Sequence, residues 1–244
     1  MCRMVGVVFN GEFPAGTLND LRHVAEIGAI PDESERGHRD GWGIVSFVNG
    51  SPRYLGRSPR PMHLDPSFDS AMQDVQRLGA PNILIAHARA ASKGGAKMEN
   101  THPFVVNGIV VGHNGTVQDL EPPRGKIPKG ESDSEILAML LAERYSESND
   151  LEYSIKSLVS EDIRGKDFSA VILLVSDGKT LFGYRDYKRD DRASYYNLGV
   201  ARCKDYVALY QETFMGYSGD LFQVAKGELV SISLDQSVKR LMLA

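Results

Sequence analysis

Eight short β-rich runs, interleaved with only four helical ones, limit this chain to a layered sheet architecture. Arg3–Phe9, Gly43–Val48, Ile83–His87 and Ile109–His113 form a first set, and Ser169–Val175, Thr180–Tyr184, Tyr206–Tyr210 and Leu229–Ser233 a second. They are rich in apolar and β-branched residues, as strands buried on one or both faces are. Asp177–Gly178, between two of these runs, reads as a tight hairpin turn. Helical periodicity is predicted over Leu18–Ile27, Ser67–Leu78, Ser134–Tyr145 and Leu151–Ile163. In the clearest of these, Ile136, Leu137, Leu140 and Leu141 share a face, Ser132 and Asp133 are N-cap candidates, and Glu135 suits the first turn. Strands with helices between and after them suggest two packed sheets covered by helices, although periodicity alone leaves other α+β layouts open.

Composition removes several classes of function. A chain of 244 residues with 42% hydrophobic content can bury a large core. The formal net charge of −4 provides no basic field for nucleic acid or an anionic membrane surface. No stretch approaches the roughly 20 apolar residues of a membrane span, and the opening MCRMVGVVFNGEF lacks the order of a signal peptide. Two cysteines, Cys2 and Cys203, imply no disulfide framework, so a reducing cytoplasm is the expected compartment. The histidines show no metal-ligand spacing, and neither a P-loop nor a dinucleotide fingerprint occurs, so no cofactor is expected. Glu121–Gly130, with three prolines and two glycines, reads as a surface loop, and no linker marks a domain boundary.

The chemistry begins at Cys2. Removal of Met1 would leave a first residue that carries a thiol and a free α-amine. Their ordinary pKa values, roughly 8.5 and roughly 7.7–8.0, let the amine take the thiol's proton near neutrality at modest cost. Amide hydrolysis by such a nucleophile also needs oxyanion donors and groups that hold the substrate away from the reacting carbon. In AHARAAS, residues 86–92, Arg89 stands where a strand ends, and its planar fork suits a carboxylate. In GHNGTV, residues 112–117, Asn114–Gly115 is expected in a tight turn, where a side-chain amide and a backbone N–H would converge on an oxyanion. In SDSE, residues 132–135, Asp133 either caps a helix or holds an ammonium. RDGWG, residues 39–43, flanks the only tryptophan with glycines, as a core anchor or a pocket wall would. NTHPF, residues 100–104, places His102 in a loop, where it either shapes a pocket or serves the structure.

Taken singly, each motif has an ordinary structural reading. Their order, Cys2 followed by RDGWG, AHARAAS, NTHPF, GHNGT and SDSE, resembles the class II glutamine amidotransferases, the N-terminal-nucleophile glutaminases. The opening MCR, with DGWG and NTHPF, is most similar to stand-alone members, including γ-glutamyl amide hydrolases related to ergothioneine biosynthesis. The motif-rich part is residues 2–135, and a looser likeness continues through Leu181–Asp186 and Leu221–Ile232.

The resemblance implies one glutamine amidotransferase domain over residues 1–244 and an α+β fold, a four-layer α/β/β/α sandwich of two mainly antiparallel sheets. It implies Cys2 as nucleophile with its own α-amine as base through a water, and Asn114 and Gly115 as the oxyanion hole. Arg89 would take the substrate α-carboxylate, Asp133 the α-ammonium, Ser92 a place near the carboxylate, and His102 a pocket wall. The implied substrate is glutamine or a γ-glutamyl compound, with no cofactor. Arg3 departs from the Cys-Gly opening of many synthase-fused members, and no synthase domain is expected after Ala244, so ammonia transfer would need a separate synthase subunit. A γ-glutamyl amide hydrolase, a partner-gated glutamine-binding subunit and a homo-oligomer stay open at this stage.

Overall fold

The computed structural model describes residues 2–31, 36–212 and 219–243. The elements follow in chain order as β1 (Arg3–Phe9), α1 (Gly16–Ile27), β2 (Trp42–Val48), β3 (Ser51–Ser58), α2 (Ser67–Gln76) and β4 (Asn82–Ala88). Next come β5 (Phe104–Val106), β6 (Ile109–Val117), α3 (Asp133–Ser148), α4 (Leu151–Ser157), β7 (Phe168–Ser176) and β8 (Thr180–Tyr187). The last are β9 (Gly199–Arg202), β10 (Tyr206–Tyr210), β11 (Asp220–Gln223), β12 (Glu228–Ser233) and β13 (Val238–Met242). One sheet has the order β11-β9-β10-β1-β4-β2-β3 and the other β13-β12-β8-β7-β6-β5. The strand pairings are antiparallel.

Strand periodicity sorts the core into three layers. Along β1, Val5, Val7 and Phe9 pack with Leu18, Leu21 and Val24 of α1, while Met4 and Val8 face the second sheet. Along β7, Ala170, Ile172 and Leu174 face the first sheet, and Val171, Leu173 and Val175 pack with Leu137 and Leu141 of α3. Three apolar layers need four layers of secondary structure, so helices cover both outer faces of the paired sheets. Each Leu or Val withdrawn from water here contributes about 1.5–3 kcal/mol toward holding the layers together.

Several expectations are refined. The buried face of α3 is Leu137, Ala138, Leu141 and Ala142, with Ile136 and Leu140 only half-buried, because two alanines let the helix approach the sheet. Ser132 is the N-cap, its Oγ accepting from Ser134 N at 3.2 Å. The run predicted as one helix over Leu151–Ile163 is α4 followed by a six-residue wider turn, Leu158–Ile163. Trp42 is fully buried in the core, its Nε1 donating to Asp65 Oδ2 at 3.2 Å and its ring meeting Phe68 edge-on. No described helix is long and apolar enough to cross a membrane.

Candidate functional site

Asn114–Gly115 is not a hairpin turn, which corrects the sequence expectation. Both residues lie inside β6, opposite Ile172 and Val171 of β7, with a register shift between Gly115 and Val117. The local turn preference of Asn-Gly is overridden by cross-strand pairing. Glycine is required here for another reason. Gly115 has φ +140°, and a Cβ would fall 1.8 Å from Ala170 O. At this irregularity Asn114, fully buried, faces the start of β1.

Cys2 precedes β1, in the middle of the first sheet, with only 6% of its surface exposed. Its N donates to Asn114 Oδ1 at 2.8 Å, and its Sγ lies 3.9 Å from Ala90 O. Met1 lies outside the described residues. Since Arg3 pairs with Ala88 at the end of β4, Cys2 is brought beside the segment that begins at Arg89. That segment is held by RDGWG: Arg89 N donates to Gly41 O, Asp40 N to Arg89 O, and Ala91 N to Asp40 Oδ2 at 2.7 Å. Asp40 is thus a supporting residue, whereas the sequence drew attention to the neighbouring tryptophan.

The Arg89 side chain is buried and engaged. Nη1 donates to Gly95 O at 2.5 Å and to Asp40 O at 3.4 Å, and Nη2 to Lys93 O at 2.6 Å. Among the described residues these three carbonyls take three of the five guanidinium N–H donors. Asn100 ties down the same loop, its amide donating to Gly94 O and accepting from Glu131 N at 2.8 Å. The cavity shared by Cys2, Arg89, Ser92, His102, Gly115 and Asp133 encloses only about 10 Å³, too little for an amino acid while the loop sits on Arg89. Ser92 is exposed at the mouth, its Oγ 3.3 Å from Thr116 Oγ1. Asp133, the first residue of α3, accepts from Val117 N through Oδ2 at 2.8 Å, which ties the helix start to the end of β6.

Beneath the cavity lie three buried histidines. His87 and His102 stack at 4.4 Å between ring centres, and His87 Nε2 lies 3.2 Å from His113 O. His113 Nδ1 is 2.8 Å from Ser134 Oγ and 4.0 Å from Asp133 Oδ2. Burial pushes the His87 pKa down to about 3. Burial also holds His102 well below the ordinary histidine range, with repulsion from His87 and Arg89 adding to it. For His113 burial outweighs the opposing attraction of Asp133. The three rings are therefore neutral at pH 7 and act as hydrogen-bonding walls rather than cations. His113 was not among the residues singled out from sequence, because it sits within an apolar strand pattern. No group of three or more His, Cys, Asp or Glu suited to a metal occurs among the described residues.

All seven residues named from sequence, Cys2, Arg89, Ser92, His102, Asn114, Gly115 and Asp133, are brought together around Cys2. Such an arrangement can present the thiol and the nitrogen of one residue to a bound carbonyl, with a side-chain amide beside them.

Known proteins resemble this chain in sequence and fold. The family described as glutamine amidotransferases class-II matches residues 1–198. An uncharacterized protein of Methanocaldococcus jannaschii, MJ1515, is 31% identical over 201 residues, 77% of this chain and 52% of that protein. A glutamine–fructose-6-phosphate aminotransferase of Streptomyces coelicolor is 26% identical over 204 residues, 80% of this chain and 31% of that protein. In structure, the chain superposes with a TM-score of 0.70 and 20% identity on the glutamine phosphoribosylpyrophosphate amidotransferase of B. subtilis, covering 100% of this chain and 49% of that one. It thus spans about half or less of the length of each of these relatives. A match over residues 1–198 takes in Cys2 and every other residue that meets at the cavity, and by it the chain belongs to the class-II glutamine amidotransferases.

Proposed function

We propose that this chain hydrolyses the side-chain amide of glutamine, with Cys2 as nucleophile after removal of Met1. The observation that carries this reading is the 2.8 Å bond from Cys2 N to Asn114 Oδ1. Once Met1 is removed, this bond would hold the terminal nitrogen in a fixed place on Cys2 Cα, beside the Cβ that bears the thiol. The names of the aminotransferase and amidotransferase relatives support glutamine as the nitrogen donor.

In the proposed sequence, the Cys2 thiol passes its proton to the chain's own α-amine, and sulfur attacks the amide carbon. The oxyanion is met by Asn114 and the Gly115 N–H. As the carbon–nitrogen bond breaks, the ammonium returns the proton and ammonia leaves. Water then cleaves the γ-glutamyl thioester, releasing glutamate and restoring the thiol. Arg89 would exchange its carbonyl partners in the 93–95 loop for the substrate α-carboxylate, and Asp133 would take the α-ammonium. Ser92 stands by the carboxylate and His102 lines the wall. These contacts sit at the end of the substrate where no bond changes, so they position rather than activate. Ammonia delivery to an acceptor would involve a synthase subunit.

A larger γ-glutamyl amide is favoured as a second reading by one feature. Through Ser92 the Cys2 cavity adjoins a cleft of about 430 Å³ walled by Phe168, Lys188 and Tyr196, which has room for a bulky amine. The test is glutamate release by wild type and Cys2→Ala on free glutamine and on γ-glutamyl conjugates. Cys2→Ala is expected to bind substrate yet release nothing; undiminished release would refute the assignment. Conjugates hydrolysed far faster than glutamine would favour the second reading.

A further inference from the structure

Gln211 and Glu212 follow β10 and approach the reacting residue from behind. Gln211 is fully buried. Its N donates to Met4 O at 3.1 Å, its Nε2 to Asn197 O at 3.2 Å, and its Oε1 accepts from Asn114 Nδ2 at 3.2 Å. Glu212 N donates to Asn197 Oδ1 at 2.9 Å, and Glu212 Oε2 pairs with Arg3 Nε at 2.5 Å. Arg3 lies over the Tyr195 ring at 3.9 Å and donates through Nη1 to Cys2 O at 3.0 Å. Two adjacent residues, both anchored on Asn197, therefore reach the two ends of Cys2: its nitrogen through Asn114 and its carbonyl through Arg3.

A donor and acceptor count decides the direction of this chain. Asn197 O is a main-chain carbonyl and can only accept, so Gln211 must turn Nε2 toward it. Gln211 then offers only Oε1 to Asn114, so Asn114 must present its NH₂ there and its Oδ1 to Cys2 N. The direction matters for a base. With Oδ1 facing it, the α-amine donates a hydrogen and keeps its lone pair for the thiol's proton. With the amide reversed, Nδ2 would donate into that lone pair and block it. The correct orientation also leaves a second Nδ2–H for an oxyanion.

Resting on the proposed amide hydrolysis, we propose that Gln211 is a positioning residue that sets the polarity of the Asn114 amide, while Glu212 fixes the Cys2 carbonyl through Arg3. Gln211→Met keeps the volume and removes both polar partners. It is expected to lower kcat about 10- to 100-fold, a part or all of the loss seen on deleting an oxyanion donor, with KM within about threefold. Because Gln211 acts through Asn114, the same change in an Asn114→Ala background should cost less than about twofold. A reversed amide disfavours the ammonium form, so the acid limb of kcat/KM should move to lower pH. Gln211→Glu is the second variant. Its carboxyl, neutral or ionised, can still accept from Asn114 Nδ2, so at a given pH it should keep activity that Gln211→Met loses; an equal loss in both would contradict a role in setting the Asn114 polarity.

Alkylation of Cys2 by iodoacetamide against pH needs no substrate and should show the same acid shift in Gln211→Met. Wild-type enzyme that releases no glutamate would strike the hydrolase reading, and the alkylation profile would still decide this proposal. Active wild type with undiminished kcat in Gln211→Met, an equal loss in the Asn114→Ala background, or superimposable alkylation profiles would overturn this proposal alone.

Discussion

The two ends of the cavity are built in different ways. At the reacting end, Cys2 leads into β1 in the middle of the first sheet, Asn114 lies within β6 of the second, and the two are buried and bond to each other directly. At the gripping end, Arg89 stands just beyond β4 and is held by carbonyls of an exposed loop, Lys93 and Gly95. The first end is organised before any ligand arrives. The second has its polar groups bonded to the main chain, Arg89 to carbonyls and Asp133 to Val117 N, so a ligand must exchange bonds to enter. Strand-borne groups suit chemistry that tolerates little misplacement, and a loop suits admission and release.

Three measurements would break or sharpen this contrast. The largest effect is expected at the reacting end. Asn114→Ala should lower kcat about 10²–10³-fold, corresponding to about 2.7–4 kcal/mol, with little change in KM. A change confined to KM would place Asn114 with the grip instead. Next, Arg89→Lys cannot reproduce a two-pronged carboxylate contact, so KM for glutamine should rise about 10- to 100-fold with kcat nearly kept. An unchanged KM would remove Arg89 from substrate binding.

The smallest effect concerns acid. His87, His102 and His113, beneath the reacting end, have their pKa values lowered in the folded state, first by burial. Below an unfolded-state value of roughly 6.5 the unfolded chain binds more protons than the folded one, so stability declines as pH falls. For His87 that window reaches down to about 3. Each such histidine can contribute a slope of up to roughly 1.4 kcal/mol per pH unit inside the window. Urea unfolding between pH 7.5 and 5 should show the decline, and a flat profile would contradict the buried, neutral state of these rings.

Much of this was legible before any coordinates. All eight strand runs appear, because each has enough apolar periodicity to declare itself. The strands not anticipated are β3, β5, β9, β11 and β13, which are short or half-exposed, and most lie at sheet edges. Such strands take their pairing from a neighbour rather than from their own hydrophobicity. The cavity residues were visible because thiol, guanidinium, amide and carboxylate groups stand at motif positions. Gln211, Glu212, Asn197 and His113 were not. Their places depend on hydrogen bonds between residues far apart in sequence, such as Asn114 with Gln211, which no local pattern encodes. The Asn-Gly pair taught the converse lesson, a strong local signal overruled by the sheet around it.

The central claim is that the reaction occurs on a terminal cysteine whose own nitrogen is the base. Its most direct test is incubation of active protein with a glutamine-mimicking diazo-ketone, followed by intact mass and peptide mapping. One adduct on Cys2, in a chain that begins at residue 2 and has lost activity in proportion, is the predicted result. Active protein that retains Met1, or an inactivating adduct on any other residue, would contradict it.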